Sequence, residues 1–265
     1  MSITVEADNV SAAWLAAARK LDREPKRKGI HTVVRISNPV GEIPAVRAAM
    51  DQLLADQNLQ NVDTVANTIF PASFARSSRD HAELVERYMR IYPLLTKRYN
   101  KNSKGTYFGR MINYPSAPKP GKPASGGPRD QISDVIRRIT VELNGGIPKQ
   151  ARYEVGLGLP DDAVNVHVFV PGTDTSAMAF PCLSHCSFQL DGEGRVHLLA
   201  HYRYQYLVER GYGNYLGLGG LLTYVAKNTG LEAGQLTVVA GLAQLEPPII
   251  PVSTMLDKFT DIGVV

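Results

Sequence analysis

Residues 196–246 read VHLLAHYRYQYLVERGYGNYLGLGGLLTYVAKNTGLEAGQLTVVAGLAQLE, and the succession of periods along them decides the fold. From Val196 to Tyr206, Val196, Leu198, Ala200, Tyr202 and Tyr204 fall at every second position, the period of a strand with one buried face. The period then changes. Leu218, Leu221, Leu222 and Val225 share one face of a helix spanning Leu216 to Asn228, and Gly230 supplies its C-terminal stop. Gln235 to Gly241 (QLTVVAG) returns to a strand. Gly211, Gly213, Gly217, Gly219 and Gly220 crowd the start of the helix. They lack the strand–loop–helix setting of a phosphate loop, so a turn and close helix packing explain them better.

Working outward, Val164, Val166, Val168 and Val170 alternate with Asn165, His167 and Phe169, which predicts another half-buried strand. Asp130 is placed as the N-cap of a helix with Ile132, Val135, Ile136 and Ile139 on one face. Tyr114 to Arg129 (YPSAPKPGKPASGGPR) reads as a flexible linker or a lid over a site. The first third reads as helical: Trp14, Leu15 and Leu21 in an Ala-rich run, then Val46, Met50, Leu53 and Leu54, then Leu84, Val85, Tyr88, Met89 and Tyr92, with Pro93 ending that helix. Helices first, then strands around one long helix, predict a mixed α+β fold, not a regularly alternating parallel sheet. Without an internal repeat, 265 residues suit a single domain over 1–265 with a flexible Pro/Gly-rich loop at 115–129.

The net charge of +4 is mild and the basic residues are scattered, so general nucleic-acid binding is not expected. A few Arg side chains reserved for a phosphate-bearing small ligand account for the excess. No apolar run approaches a membrane span and MSITVEADNV has no signal-peptide h-region, so a cytoplasmic protein is expected. Its two cysteines, Cys182 and Cys186, form no disulfide framework and read as reduced thiols, one of them a possible nucleophile.

A catalytic Cys reacts as the thiolate and needs positive charge or donors around it. Arg203, on the strand read next to Cys182, can serve both the thiolate and a bound phosphate. Taken alone, Cys182 reads more readily as a buried inert thiol than as a nucleophile, because free Cys is among the most buried residue types. Cys182, His185 and Cys186 invite a metal reading, with His197 and His201 the other ligands in range. In an extended segment residues 182 and 185 point to opposite faces, which argues against a shared ion, and no metal is expected.

Together these residues resemble the thymidylate synthase family. Asp130-Gln131-Ile132 and its helix look like the family's DQI helix, and Gly105 to Gly109 (GTYFG) looks like the segment bearing its active-site Tyr. Pro181-Cys182 matches the nucleophile, Tyr202-Arg203-Tyr204 falls where the family has Gln-Arg-Ser, and Asn214 stands at the Asn that recognises the pyrimidine. From Arg203 to Gly241 the register needs no gap. The resemblance implies an α+β thymidylate-synthase-like fold, a mixed sheet flanked by helices, and a homodimer through the sheet with shared active sites. It implies transfer of a one-carbon unit from 5,10-methylenetetrahydrofolate to C5 of a pyrimidine nucleoside monophosphate, with Cys182 adding at C6 to make C5 nucleophilic. It makes Arg203 a phosphate ligand, Arg152 the arginine that reaches a partner subunit's phosphate, and Asn214 the reader of the base. Phe108, His185, Gln244 and Glu246 complete the implied substrate-binding set.

The chain also departs from the family. Leu183 follows the nucleophile where the family has His, with His185 as its replacement after a local shift. Ala151 leaves Arg152 unpaired. Gln244 and Glu246 replace a sugar-binding His and Tyr, and Tyr206 replaces a folate-holding Asp. The N-terminal Arg loop and Trp-rich folate wall have no evident counterpart, and Asp63 is the substitute for the catalytic Glu. Such changes suit pyrimidine-nucleotide hydroxymethylases of the superfamily, and equally a member that binds nucleotides without catalysis. Asn214 offers a donor and an acceptor to a uracil edge, and Glu246 with Gln244 offers acceptors to vicinal hydroxyls, so a uridylate ribonucleotide is expected.

Overall fold

The computed structural model describes residues 2–98, 102, 105–114, 127–145, 154–156 and 182–262. Six strands form one mixed sheet in the order β1-β2-β6-β5-β4-β3: β1 (Thr4–Asn9), β2 (Lys28–Asn38), β3 (Glu154–Gly156), β4 (Leu183–Leu190), β5 (Arg195–Tyr206) and β6 (Glu232–Gln244). β1–β2 and β5–β6 pair parallel; β2–β6, β5–β4 and β4–β3 pair antiparallel. The α+β class and the mixed sheet flanked by helices stand as read.

The first third, however, is not all helical. β1 and β2 belong to the sheet, on either side of α1 (Val10–Asp22). In β2, Thr32, Val34 and Ile36 face the core while Val33 and Arg35 face away, a two-residue period. The helices read in that third are present as α1, α2 (Pro44–Asp56) and α5 (His81–Arg98), together with α3 (Val62–Ile69) and α4 (Ala72–Arg76). α5 runs through Pro93, so the expected stop there is corrected: proline removes one donor, and the helix nevertheless continues to Arg98. α6 (Tyr107–Ile112) and α7 (Gln131–Leu143) follow. Asp130 caps α7 as expected, its carboxylate accepting the Ser133 N–H at 3.0 Å. Tyr114 and Arg129 exchange backbone hydrogen bonds at the base of the Pro/Gly-rich segment. Residues 115–126 of that segment, and the strand expected at Val164–Val170, lie outside the described residues.

α8 (Tyr212–Thr229) is longer than its apolar stripe suggested. It packs on β5 and β6 and meets α3 along its outer side. Gly219 explains one glycine of the cluster, because a Cβ there would overlap the Pro39 carbonyl. Gly230 ends the helix at φ 72°. α1, α7 and α8 lie against the sheet, and Val196, Leu198, Ala200 and Tyr202 of β5 are buried beneath them. Their neighbours His197, Leu199, His201 and Arg203 are exposed or half-buried. A final helix, α9 (Ile249–Lys258), packs near α1 and α2. Among the described residues no helix is long and apolar enough to cross a membrane.

The strand directions gather chemistry at one end of the sheet. The carboxyl ends of the parallel pair β5 and β6 meet the beginnings of β2 and β4 there. Lys28 lies opposite Gln244, Gln244 opposite Tyr206, and Leu183 opposite Tyr202.

Candidate active site

Cys182 sits immediately before β4, and its carbonyl accepts the Arg203 N–H at 2.8 Å, which fixes the thiol-bearing residue beside the arginine. A register shift between Leu183 and His185 then changes which side chains face inward. Cys186 is fully buried, while Cys182 is partly exposed; both are unbridged thiols. Burial pushes the Cys182 thiol above its ordinary range, and two guanidinium groups, Arg203 and Arg210, pull it back.

His185 pairs with His201 across the strands, and Ser184 Oγ lies 2.8 Å from His201 Nδ1. Burial, with His185 and Arg203 next, holds His201 below the usual imidazole range. His197 is at the other end of β5, bonded to Asp191 and to the Gln235 N–H. No three His, Cys, Asp or Glu side chains gather for a metal among the described residues.

The segment GTYFG approaches the thiol through Tyr107. Its hydroxyl accepts the Leu183 N–H at 3.5 Å, and burial followed by the neighbouring Cys182 raises its pKa. Phe108 turns the other way, fully buried and edge-on to Tyr88 and Phe70 at 4.7 and 5.9 Å between centroids. Successive helical residues point about 100° apart, so only one of the two can face the site.

Asn214 lies in the first turn of α8 at 5% exposure, next to Tyr215, whose hydroxyl donates to Gln205 Oε1 at 3.5 Å. The Gln205 Nε2 and the Tyr202 hydroxyl are buried without a hydrogen-bond partner among the described residues. Buried polar groups are nearly always paired, so these two mark where a polar ligand or an ordered water would be satisfied.

Gln244 accepts a short hydrogen bond from the Tyr204 hydroxyl. Glu246 is partly buried, and its carboxylate accepts the Val208 N–H at 3.1 Å and the Glu209 N–H at 2.5 Å. It therefore fixes the turn Leu207–Gly211 that joins β5 to α8, while each oxygen retains further acceptor capacity. Burial raises the Glu246 pKa, and these amides oppose the shift.

Arg210 and the basic turn at Arg27 were not legible in the sequence, whereas Tyr107 belongs to GTYFG, the segment read as bearing an active-site Tyr. Arg210 stands in the Leu207–Gly211 turn, with Nη1 donating to Gln60 Oε1 at 2.6 Å and Nη2 3.2 Å from Glu209 Oε1. Tyr107 takes the position beside the thiol. Arg27, in a turn where Lys26 and Arg27 both have φ 56°, accepts the Leu245 N–H on its carbonyl, which brings a basic turn against Gln244 and Glu246. Asp63 is instead ion-paired to Arg47 at 2.9 Å and largely exposed. Arg152 lies outside the described residues.

A cavity of about 240 Å³ adjoins the site. Gln60, Thr64, Asn67, Thr68 and Thr106 line it together with Phe74, Tyr88, Ile91 and Leu95. Gln60 touches Arg210 at one wall, and Thr106 caps the helix carrying Tyr107 at another.

No protein-family model matches the chain, and no curated protein matches it. The site defines itself by chemistry: a partly exposed thiol with a tyrosine and two guanidinium groups, at the carboxyl ends of parallel strands.

Proposed function

We propose that this chain transfers a one-carbon unit from methylenetetrahydrofolate to C5 of a pyrimidine nucleoside monophosphate, through a covalent Cys182–C6 adduct. The observation that carries the reading is the coupling of Cys182 to Arg203 by a backbone hydrogen bond, with Tyr107 against the same strand start. The mixed sheet flanked by helices agrees with a thymidylate-synthase-like fold.

In this reading the Cys182 sulfur bonds to C6 and the C5=C6 electron pair moves to C5. C5 takes the donor's carbon as one of its two carbon–nitrogen bonds to the folate opens, then loses its proton to a base as the second breaks and tetrahydrofolate departs with that electron pair; the ring double bond returns when the sulfur leaves. The carbon ends as hydroxymethyl with a hydroxide from water, or as methyl with a hydride from the folate. Arg203 holds the phosphate, Asn214 reads the base, and Gln244 and Glu246 face the sugar. Methylenetetrahydrofolate supplies the carbon when bound; the neutral, part-aromatic cavity beside Gln60 and Tyr88 suits its flat ring system. The exposed strip of the sheet, including Leu199 at 39% and Ile30 at 56%, supports a homodimer through that face, with Arg152 completing the partner's site.

A second reading, a nucleotide-binding member without catalysis, is favoured by one observation: burial raises the Cys182 thiol, which disfavours the reactive thiolate. Incubation with each pyrimidine monophosphate plus methylenetetrahydrofolate, read by product mass, separates the two. A mass gain of one carbon supports transfer; nucleotide binding without any product supports the second reading.

A further inference from the structure

We infer that the cavity between α3 and α5 binds an uncharged planar heterocycle, read along α3 by a hydrogen-bond donor fixed on Gln60 and an acceptor fixed on Thr68. This rests on the reading of that cavity as the seat of the donor's ring system, and it gives the seat its residues. Trp14, the chain's one tryptophan, is buried and bonded to the Leu207 carbonyl, and Tyr206 stands where the family has its folate-holding Asp. Ring recognition therefore falls to groups of a different kind.

The two helices give the cavity two unlike walls. Thr64, Asn67 and Thr68 recur at i, i+3 and i+4 on α3, and Tyr88, Ile91 and Leu95 at i, i+3 and i+7 on α5, so a polar stripe faces an apolar one. The Tyr88 hydroxyl is taken up by Thr106 Oγ1 at 2.6 Å, so its ring joins the apolar wall. No charged side chain lines the cavity among the described residues. A volume of about 240 Å³ lies just below the usual range for a drug-sized ligand, which suits a flat ring system and not a whole charged cofactor.

Two polar groups on the α3 side are each held in one sense. The Arg210 guanidinium carries donors only, and its Nη1 lies 2.6 Å from Gln60 Oε1. The amide cannot turn over without setting N–H against N–H, so Nε2 is the atom that Gln60 keeps for the cavity. Arg210 is itself held by Glu209 at 3.2 Å. At the other end of the wall the Thr68 hydroxyl donates to the Val65 carbonyl at 2.7 Å, which leaves its lone pairs as acceptors. Asn67 beside it offers both a donor and an acceptor. Gln60 precedes the N-cap of α3 and Thr68 lies in its last turn, a rise of about 12 Å. A two-ring heterocycle spans that distance with a hydrogen bond of about 2.9 Å at each end. The ligand so selected has an acceptor at one end, an amide-type edge at the other and no net charge.

Equilibrium dialysis of the full chain against pterin, with and without uridine monophosphate, tests this by the absorbance of the bound ring. Pterin is expected to bind, and quinoxaline, flat and uncharged but without an amide-type edge, to bind about tenfold more weakly. Gln60→Glu keeps a partner for Arg210 but removes the donor, and Asn67→Ala removes the amide from an exposed helix position. Each should weaken pterin binding by about five- to tenfold with unchanged circular dichroism. Arg210→Met lets the Gln60 amide turn and should weaken it by about twofold, because the donor edge then faces the cavity about half the time. Leu94→Ala, exposed on α5 and outside the cavity, should bind pterin as wild type does. No pterin binding by wild type in either condition, equal affinity for quinoxaline, or wild-type affinity in both Gln60→Glu and Asn67→Ala overturns the proposal. Pterin binding without any transfer product keeps this site and sinks the one-carbon reading. Transfer by Gln60→Glu and Asn67→Ala at the wild-type KM for methylenetetrahydrofolate keeps that reading and sinks this site.

Discussion

At its turn the β4–β5 hairpin gathers Asp191, Glu193, Arg195 and His197; at its other end it carries Cys182, Tyr202, Arg203 and Gln205. Both sets mix charge, ring and hydrogen-bonding groups, and either would draw attention in a search for a site. At the turn, Asp191 accepts from the Glu193 and Arg195 amides, from Arg195 Nε at 2.6 Å and from His197 Nε2 at 3.1 Å. His197 Nδ1 in turn accepts the Gln235 N–H at 3.0 Å. Asp191 and His197 bond to partners within the chain, and Arg195 and Glu193 reach solvent for what remains, so the cluster builds a turn. At the other end, Tyr202 and Gln205 leave polar atoms buried and unpartnered among the described residues, beside a thiol whose burial is only partly offset by cations. Two ends of one hairpin thus differ less in residue types than in whether the protein satisfies them. Unfinished hydrogen bonding is the better pointer to function.

The sharpest way to break this comparison is to remove one residue from each end. Cys182→Ala is expected to abolish one-carbon transfer while nucleotide affinity persists, because the proposed phosphate ligand is a different residue. Asp191→Ala should leave turnover near wild type. Product mass and calorimetric binding check both; normal turnover by Cys182→Ala, or its loss through Cys186→Ala alone, refutes the assignment. Asn214 comes next in size. Its amide suits uracil, and Asn214→Asp should shift preference towards cytidine nucleotides by about 1–3 kcal/mol, the value of a buried hydrogen-bond partner. Competition between uridine and cytidine monophosphates measures this, and an unchanged ratio removes Asn214 from base reading.

Glu246 joins structure to specificity. Glu246→Ala strips acceptors from the Val208 and Glu209 amides and should destabilise the fold by about 1–3 kcal/mol, read by urea unfolding. If the remaining acceptor capacity of Glu246 also receives vicinal hydroxyls, wild type binds the ribonucleotide better than the deoxyribonucleotide, and the variant loses that preference. Equal affinities of the wild type for the two sugars remove the sugar role and leave the turn-fixing one.

The readability of the sequence follows the same division. β5, α8 and β6 were legible because their apolar residues keep one period over a long, uniformly buried face. β2 was not: His31 at φ 50° interrupts the alternation, so Ile30 is exposed while Thr32 is buried, and the pattern looks mixed. β1 is short, and only Val5 in it is buried, which gives periodicity nothing to detect. At the site, Cys182, Arg203 and Asn214 stood out because strand, turn and helix follow one another without a break. Arg210 did not, since Leu-Val-Glu-Arg-Gly carries no motif and its importance comes from Gln60, distant in sequence. GTYFG pointed to the right segment, yet only the packing of Phe108 on Tyr88 leaves Tyr107 to face the thiol.

The smallest expected effect separates the two ends by sign. Asp191 is held well below the usual carboxylate range, with His197 first among the causes and Arg195 and two backbone amides adding to it. Its contribution to stability is therefore present above the unfolded carboxylate value and is lost as pH falls through that range towards the folded value. Glu246 runs the other way. Burial raises its folded pKa above the unfolded value, so its contribution is greatest below the unfolded value and declines as pH rises through the folded one. Urea unfolding of Asp191→Asn and Glu246→Gln at a series of mildly acidic pH values gives two difference curves against wild type. Asp191→Asn should lose relative stability with rising pH, and Glu246→Gln should gain it; the mispaired amide of the glutamine adds an offset but no slope. Added salt should flatten the Asp191 curve more, because that cluster is solvent-exposed and screened. Curves of the same sign would mean that the Glu246 end is as fully satisfied as the turn, and the contrast between the two ends would fail there.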